Sequence, residues 1–354
     1  MKRPIQLVVC ALAACVETLV AQVPEHGPFL QRARSVWFTE GQNPIGAEVG
    51  ISFEPLPWND DTKAAWAAAP GTRIALSGKA WAEFATFTEL RFGGVVVKSG
   101  TYYAVLERTK EGLAFGLLDA AKIRARQMEP GAAVGQPLVA AVPLGAGAGP
   151  GGPLGVEFVP DESSGSVTML LSWGPHTLRA TASVQGGKGG SAIAMPDARQ
   201  ASRLAWPAKD GRTPIVAVDH GVLPWSDEMD KHADALAVGQ RWRLGKDWAT
   251  TLDTNAPLVV GDKKLSPGLW HLTMEKTKAG WSLAISSAAD DYARKLDGFA
   301  ADHTSPVVVA PLQEDPDRIK SSDLLVLFQS HEKKHRLVIS AAGQQWFVPV
   351  ALGK

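Results

Sequence analysis

Three places in the chain carry residue types and spacings that could do chemistry. The first is His331-Glu332-Lys333-Lys334-His335. Two histidines four apart on one helix face can ligate zinc, with the glutamate between them as general base. This stretch, however, lies between "DLLVLFQS" and "RLVISA", two runs with the composition of strands, so a hairpin turn is expected. Residues four apart lie about 6 Å apart along a helix axis but roughly 13 Å apart along a strand, too far for one ion held at ~2.1 Å. Between Arg336 and Lys354 no His, Asp, Glu or Cys follows to supply a third ligand. His331, Glu332 and His335 are therefore disfavoured, and no metal site is assigned.

The second place occurs twice. "LPWNDDTK" (56–63) sets Trp58 beside Asp60 and Asp61, and "LPWSDEMDK" (223–231) sets Trp225 beside Asp227, Glu228 and Asp230. An indole next to carboxylates can stack and hydrogen-bond a sugar, or the acids can hold a hard cation such as calcium. Trp58, Asp60, Asp61, Trp225, Asp227 and Glu228 are the candidate ligand-binding residues. A competing reading makes each stretch a proline-ordered turn with a helix cap at Asn59 or Ser226 and acids in the first turn. The third place is His220 beside Asp219, where a lone neighbouring pair reads as structural rather than as a base or ligand. Trp81 and Trp248 are expected in the cores. Nucleophile-elbow, phosphate-loop and dinucleotide patterns are missing from the sequence, so neither a catalytic residue nor a cofactor is expected.

The elements that must position these residues come as two related units. The two Trp-acid turns lie 167 residues apart (56 to 223), as do "GKAWA" (78) and "GKDWA" (245). One inserted residue later, 93–128 aligns without gaps to 261–296, matching Gly100 with Gly268, Glu107 with Glu275 and Arg126 with Arg294. Shared spacing over about seventy residues indicates a tandem pair. Unit one is expected over 36–183, with the Gly/Pro-rich stretch 143–155 as a loop insertion, and unit two over 213–354. Between them 184–212, rich in Gly, Ala, Ser and Pro, reads as a linker. Runs such as "GTYYAVLE" and "GLWHLTME" alternate in character and end at Lys-x-Gly turns. Helical pattern is confined to short stretches, "DTKAAWAAA" and "DEMDKHADAL". The fold class is thus all-β, two antiparallel sandwich or barrel-like domains with few short helices.

Lys plus Arg and Asp plus Glu both total 36, so the chain lacks the excess positive charge of a nucleic-acid surface. Its beginning, "MKRPIQLVVCALAACV", has a charged start and an apolar run too short to span a membrane. It reads as a signal peptide over 1–21, cut after Ala21; the alternative is a lipobox, "LAAC", leaving a lipid anchor at Cys15. Both cysteines lie in this leader, so the mature chain is expected without disulfides. No other run suggests a membrane span. An exported, periplasmic or extracellular protein follows, with a glycan or another envelope component as the partner class.

The second unit resembles the exported bacterial domain-of-unknown-function family 2911. The resemblance rests on "WRLGKDWATTL" (242–252), "GDKKLSPGLWHL" (261–272) and Trp281. Trp242, Arg243, Gly245, Ala249, Thr250, Gly261, Leu265, Pro267, Gly268 and Trp281 match the family pattern; Asp247 stands where it has Asn and Trp270 where it has Tyr. The first unit is more degenerate, with Ala75-Leu76 in place of Trp-Arg. The resemblance implies export and a β-rich fold and brings no catalytic residues. The sequence reading is an exported, non-catalytic binding or structural module of the cell envelope.

Overall fold

The computed structural model of the protein describes residues 25–353 apart from 39–44, 79, 189–191, 207, 209, 211, 297–303, 317–318, 320, 332–333 and 342. At 25–28, 193–197 and 331 it describes the backbone alone. The leader, with Cys15 and Ala21, lies outside the described residues.

Period-two patterning builds most elements. In Ser166–Trp173, Val167, Met169, Leu171 and Trp173 are buried while the residues between them are half-buried, as one face of a pleated strand requires. Antiparallel strands make up the bulk of the fold, with few short helices. In the first half, Ile45–Phe53, Glu83–Thr86, Gly100–Arg108, Leu113–Asp119 and Leu138–Ala148 are successive neighbours. Leu138–Ala148 also pairs with His176–Val184, which leads to Ser166–Trp173 and then Gly155–Asp161. The sheet therefore folds over a core that includes Phe84, Leu106, Phe115, Met169 and Trp173.

The second half follows the same order. Ile215–Gly221, Thr250–Thr254, Gly268–Thr277, Gly280–Ser287 and Val308–Pro311 are successive neighbours. They face a layer of Asp323–His331, Lys334–Ala341 and Gln344–Leu352 across Val218, Leu272, Ile285, Phe328 and Ile339. Burying each such side chain contributes about 1.5–3 kcal/mol.

Two segments differ from the sequence reading. The stretch 184–212, expected as a linker, contains a 14-residue strand, Ala192–Ala205. It pairs on one side with the equally long Glu25–Phe38 and on the other with Ile215–Gly221. Glu25–Phe38 pairs in turn with Ile45–Phe53, so one sheet runs from half to half. The segment is a strand because both of its edges find partners, which its own composition does not announce. Likewise 143–155, expected as a loop insertion, continues the strand Leu138–Ala148 and turns only afterwards. A Cβ on Gly149 would come within 2.4 Å of the His176 carbonyl oxygen, so glycine there permits a close backbone approach.

Polar contacts fasten the junction of the halves. Arg124 donates to Asp253 through Nε (2.7 Å) and Nη2 (3.1 Å), and the Tyr103 hydroxyl donates to the same carboxylate at 2.7 Å. Trp248, expected inside its own core, is buried at this junction between the guanidinium groups of Arg32 (4.0 Å) and Arg34 (4.6 Å). Trp81 is half-buried and stacks on Tyr103 at 4.1 Å. No described helix is long and apolar enough to cross a membrane.

Candidate functional site

Each of the two Trp-acid turns leads into a short helix, and the caps and surroundings of those helices differ. In the first half, Asn59 caps the helix Asp60–Trp66. Its Oδ1 accepts from the Thr62 amide at 3.0 Å, while Thr62 Oγ1 accepts from the Asn59 amide at 2.8 Å. Asp60 and Asp61 are exposed in the first turn, and Asp60 holds Lys63 at 2.9 Å. Trp58 points the other way, edge-on to Trp66 (5.4 Å), Trp173 (6.0 Å) and His176 (5.3 Å). Trp66 and His176 stack at 4.4 Å. Gly174, at φ +55°, lies against the Trp58 ring so closely that a Cβ would meet it at 2.3 Å. Aromatic rings thus fill the space beneath this helix.

In the second half, the helix Asp227–Ala235 follows Ser226, whose side chain makes no capping hydrogen bond. Trp225 Nε1 donates to Asp230 Oδ1 at 2.9 Å, and the indole packs beside Trp242 at 4.9 Å. Beneath the helix lies a cavity of about 340 Å³. Trp225, Trp242, Trp281 and Trp346 wall it; Leu244, Met274, Leu324, Ile339 and Ala341 form its apolar lining. Its polar groups come from Asp230, Asp234, Arg243, Lys276 and Gln344. Lys276 Nζ stands 4.7 Å from the Trp281 ring, and Trp281 lies edge-on to Trp346 with centroids 6.5 Å apart.

Two of the positions that differ account for the bulk that fills the first-half space. Strands Ser166–Trp173 and Lys334–Ala341 have the same length and place in their layers, so Trp173 corresponds to Ala341, 168 residues on. At the 167-residue spacing of the turns, Trp66 corresponds to Ala233. Both tryptophans belong to the first-half cluster, and both alanines line the second-half cavity.

Of the six candidates from the sequence, Trp225 lines the cavity and Trp58 sits in the filled counterpart. Asp60, Asp61 and Asp227 are exposed on the helix first turns. Glu228 lines a separate, more open hollow with Met229, His232 and Lys246. Sequence reasoning missed Trp242, Trp281, Trp346, Asp234 and Lys276 as parts of one site. The signal was available: carrying the 168-residue spacing past 296 sets Trp173 against Ala341.

At that same spacing the turn at 331–335 is matched in the first half by 163–167, in the turn joining Gly155–Asp161 to Ser166–Trp173. Strand Asp323–His331 pairs with Lys334–Ala341, so the two histidines stand on neighbouring strands of a hairpin rather than four residues along one. His335 Nδ1 meets Ser330 Oγ at 2.6 Å, and its ring lies edge-on to Trp206. Glu332 lies outside the described residues.

His220 is only 1% exposed. Its Nε2 accepts from the Val326 amide (3.2 Å), so Nδ1 carries the proton and donates to the Gly221 carbonyl (3.1 Å). Burial pulls its pKa down to about 4. Asp219 pairs instead with Arg199, whose Nε donates to it at 2.7 Å. His220 ties two layers of the second half together.

No curated protein and no solved structure matches this chain. Residues 230–343, which supply most of the cavity lining, match the family described as a protein of unknown function, DUF2911, so the second half carries a DUF2911-like domain.

Proposed function

We propose that this is an exported, non-catalytic binding protein of the cell envelope, a tandem pair of related domains in which only the second retains an open ligand site. Export is supported by the leader-like "MKRPIQLVVCALAACV", and tandem descent by the recurring spacing of strands and turns. The observation that carries the binding role is the tryptophan-walled cavity of about 340 Å³ under the helix Asp227–Ala235. Ligand pockets are typically concave, mainly apolar and set with a few convergent polar groups. Its first-half counterpart is filled by Trp66 and Trp173, which gives that half a structural role.

The test uses the cavity's own tryptophans. The full chain is titrated with a panel of neutral, cationic and anionic ring compounds while indole fluorescence is followed. A saturable change with at least one compound is expected, and Ala233→Trp, which places an indole where the first half has one, should abolish it. A panel that produces no saturable change, or a change that survives Ala233→Trp, would sink the proposal.

A further inference from the structure

The composition of the cavity also selects a ligand class, an inference that rests on the binding role proposed above. We infer that the site takes a neutral pyranose ring, one sugar unit of a glycan.

Size comes first. At about 340 Å³ the cavity lies at the small end of ligand pockets, so it admits one or two rings rather than an extended chain. Charge comes second. Asp230 and Asp234 are balanced by Arg243 and Lys276, and the lining sums to zero. A quaternary ammonium would find indole faces but would share the space with two cations. Lys276 already takes a cation's position 4.7 Å from Trp281. An anion would meet the two carboxylates in the same way.

Surface character comes third. Indole walls next to charged and amide tips suit a molecule with apolar C–H faces and hydroxyl edges. The faces pack on the rings of Trp281 and Trp346, while hydroxyls can donate to Asp234 and accept from Lys276 and Gln344. A wholly apolar ligand would cover those polar tips without replacing their hydrogen bonds to water, which is costly. Asp230 serves a different end, holding the Trp225 indole through its Nε1.

The experiment is calorimetric titration of the full chain with glucose, N-acetylglucosamine and their β-linked oligomers, and in parallel with choline, glucuronate and indole. At least one neutral sugar is expected to bind at least about tenfold more tightly than choline, glucuronate and indole, with little dependence on salt. Ala341→Trp should remove that binding while circular dichroism and the unfolding midpoint stay near those of the parent. Ala233→Trp, on the exposed helix, does the same without touching the core. If choline, glucuronate or indole binds best and both variants abolish it, the sugar assignment is overturned and the cavity stands as a binding site. If no probe binds, or binding survives both variants, the cavity itself is not the site and both readings fall.

Discussion

The first half and the second half solve one packing problem in opposite ways. Each places a short helix after a Leu-Pro-Trp turn over the end of its sandwich. Under the first helix, Trp58, Trp66, Trp173 and His176 pack ring against ring. Under the second, alanines at 233 and 341 leave a tryptophan-walled space. Side-chain exchanges, not a change of fold, separate a filled core from a candidate site: Trp66 and Trp173 stand against Ala233 and Ala341, and Ala75, Leu113 and Leu178 against Trp242, Trp281 and Trp346. The lesson concerns conserved geometry: a repeated turn fixes where a helix sits and says nothing about what lies below it.

The comparison is most exposed to a pair of exchanges. Trp173 is 1% exposed, and its Nε1 donates to the Leu56 carbonyl at 3.1 Å. Trp173→Ala should therefore cost about 3–5 kcal/mol through lost packing and the cavity left behind. The reciprocal Ala341→Trp adds bulk where space already exists, so its cost should stay below the ~1–3 kcal/mol typical of overpacking a full core. Urea unfolding midpoints decide the matter. Equal costs for the two exchanges would mean that the halves do not differ as described.

Acid sensitivity separates the halves next. On the strand preceding each turn, the 167-residue spacing sets His220 of the second half against Phe53 of the first, a side chain that does not titrate. With a folded pKa near 4 against 6.5 for the free group, His220 leaves stability intact above pH 6.5. Stability is then lost as pH falls through the window down to 4, because the unfolded chain takes up the proton first. The loss approaches about 3 kcal/mol at 1.36 kcal/mol per unit. Glu83, buried and pushed up to about 7 by desolvation, works in the reverse sense, losing stability as pH rises from 4.5 to 7. Urea midpoints at pH 7 and pH 4.5 should therefore fall less in His220→Gln than in the parent, and fall more in Glu83→Gln. An unchanged pH dependence in both variants would contradict this.

The smallest effect distinguishes the two helix caps. Asn59 makes a reciprocal capping pair with Thr62, whereas the Ser226 side chain makes no capping hydrogen bond. Asn59→Ala should cost about 1 kcal/mol and Ser226→Ala only a few tenths. A larger loss at Ser226 would show that the second helix is capped as firmly as the first.

Much of this was legible in the residues. Strands such as Ser166–Trp173 and Gly268–Thr277 announce themselves through alternation, and Asn59 through its cap chemistry. The exposed positions of Asp60, Asp61 and Asp227 follow from their place in a helix first turn, whereas nothing local marks Asp234 or Lys276. The strand Ala192–Ala205 was hidden because its alanines and interspersed polar residues give no clean alternation and Pro196 argues against a strand, and its identity came from the partners on either side. Glu25–Phe38 starts well before the expected unit boundary for the same reason. Trp242, Trp281 and Trp346 each look like an ordinary core aromatic when read alone.

By itself the sequence determined an antiparallel β-rich chain, two recurring spacings and a turn with an indole beside acids, since alternation, caps and turn residues act within a few positions. The tertiary structure alone decided that Trp225, Trp242, Trp281 and Trp346 share one wall, and that Ala233 and Ala341 leave it open. A cavity is a volume left over after segments distant in sequence have packed, so no single segment can encode it.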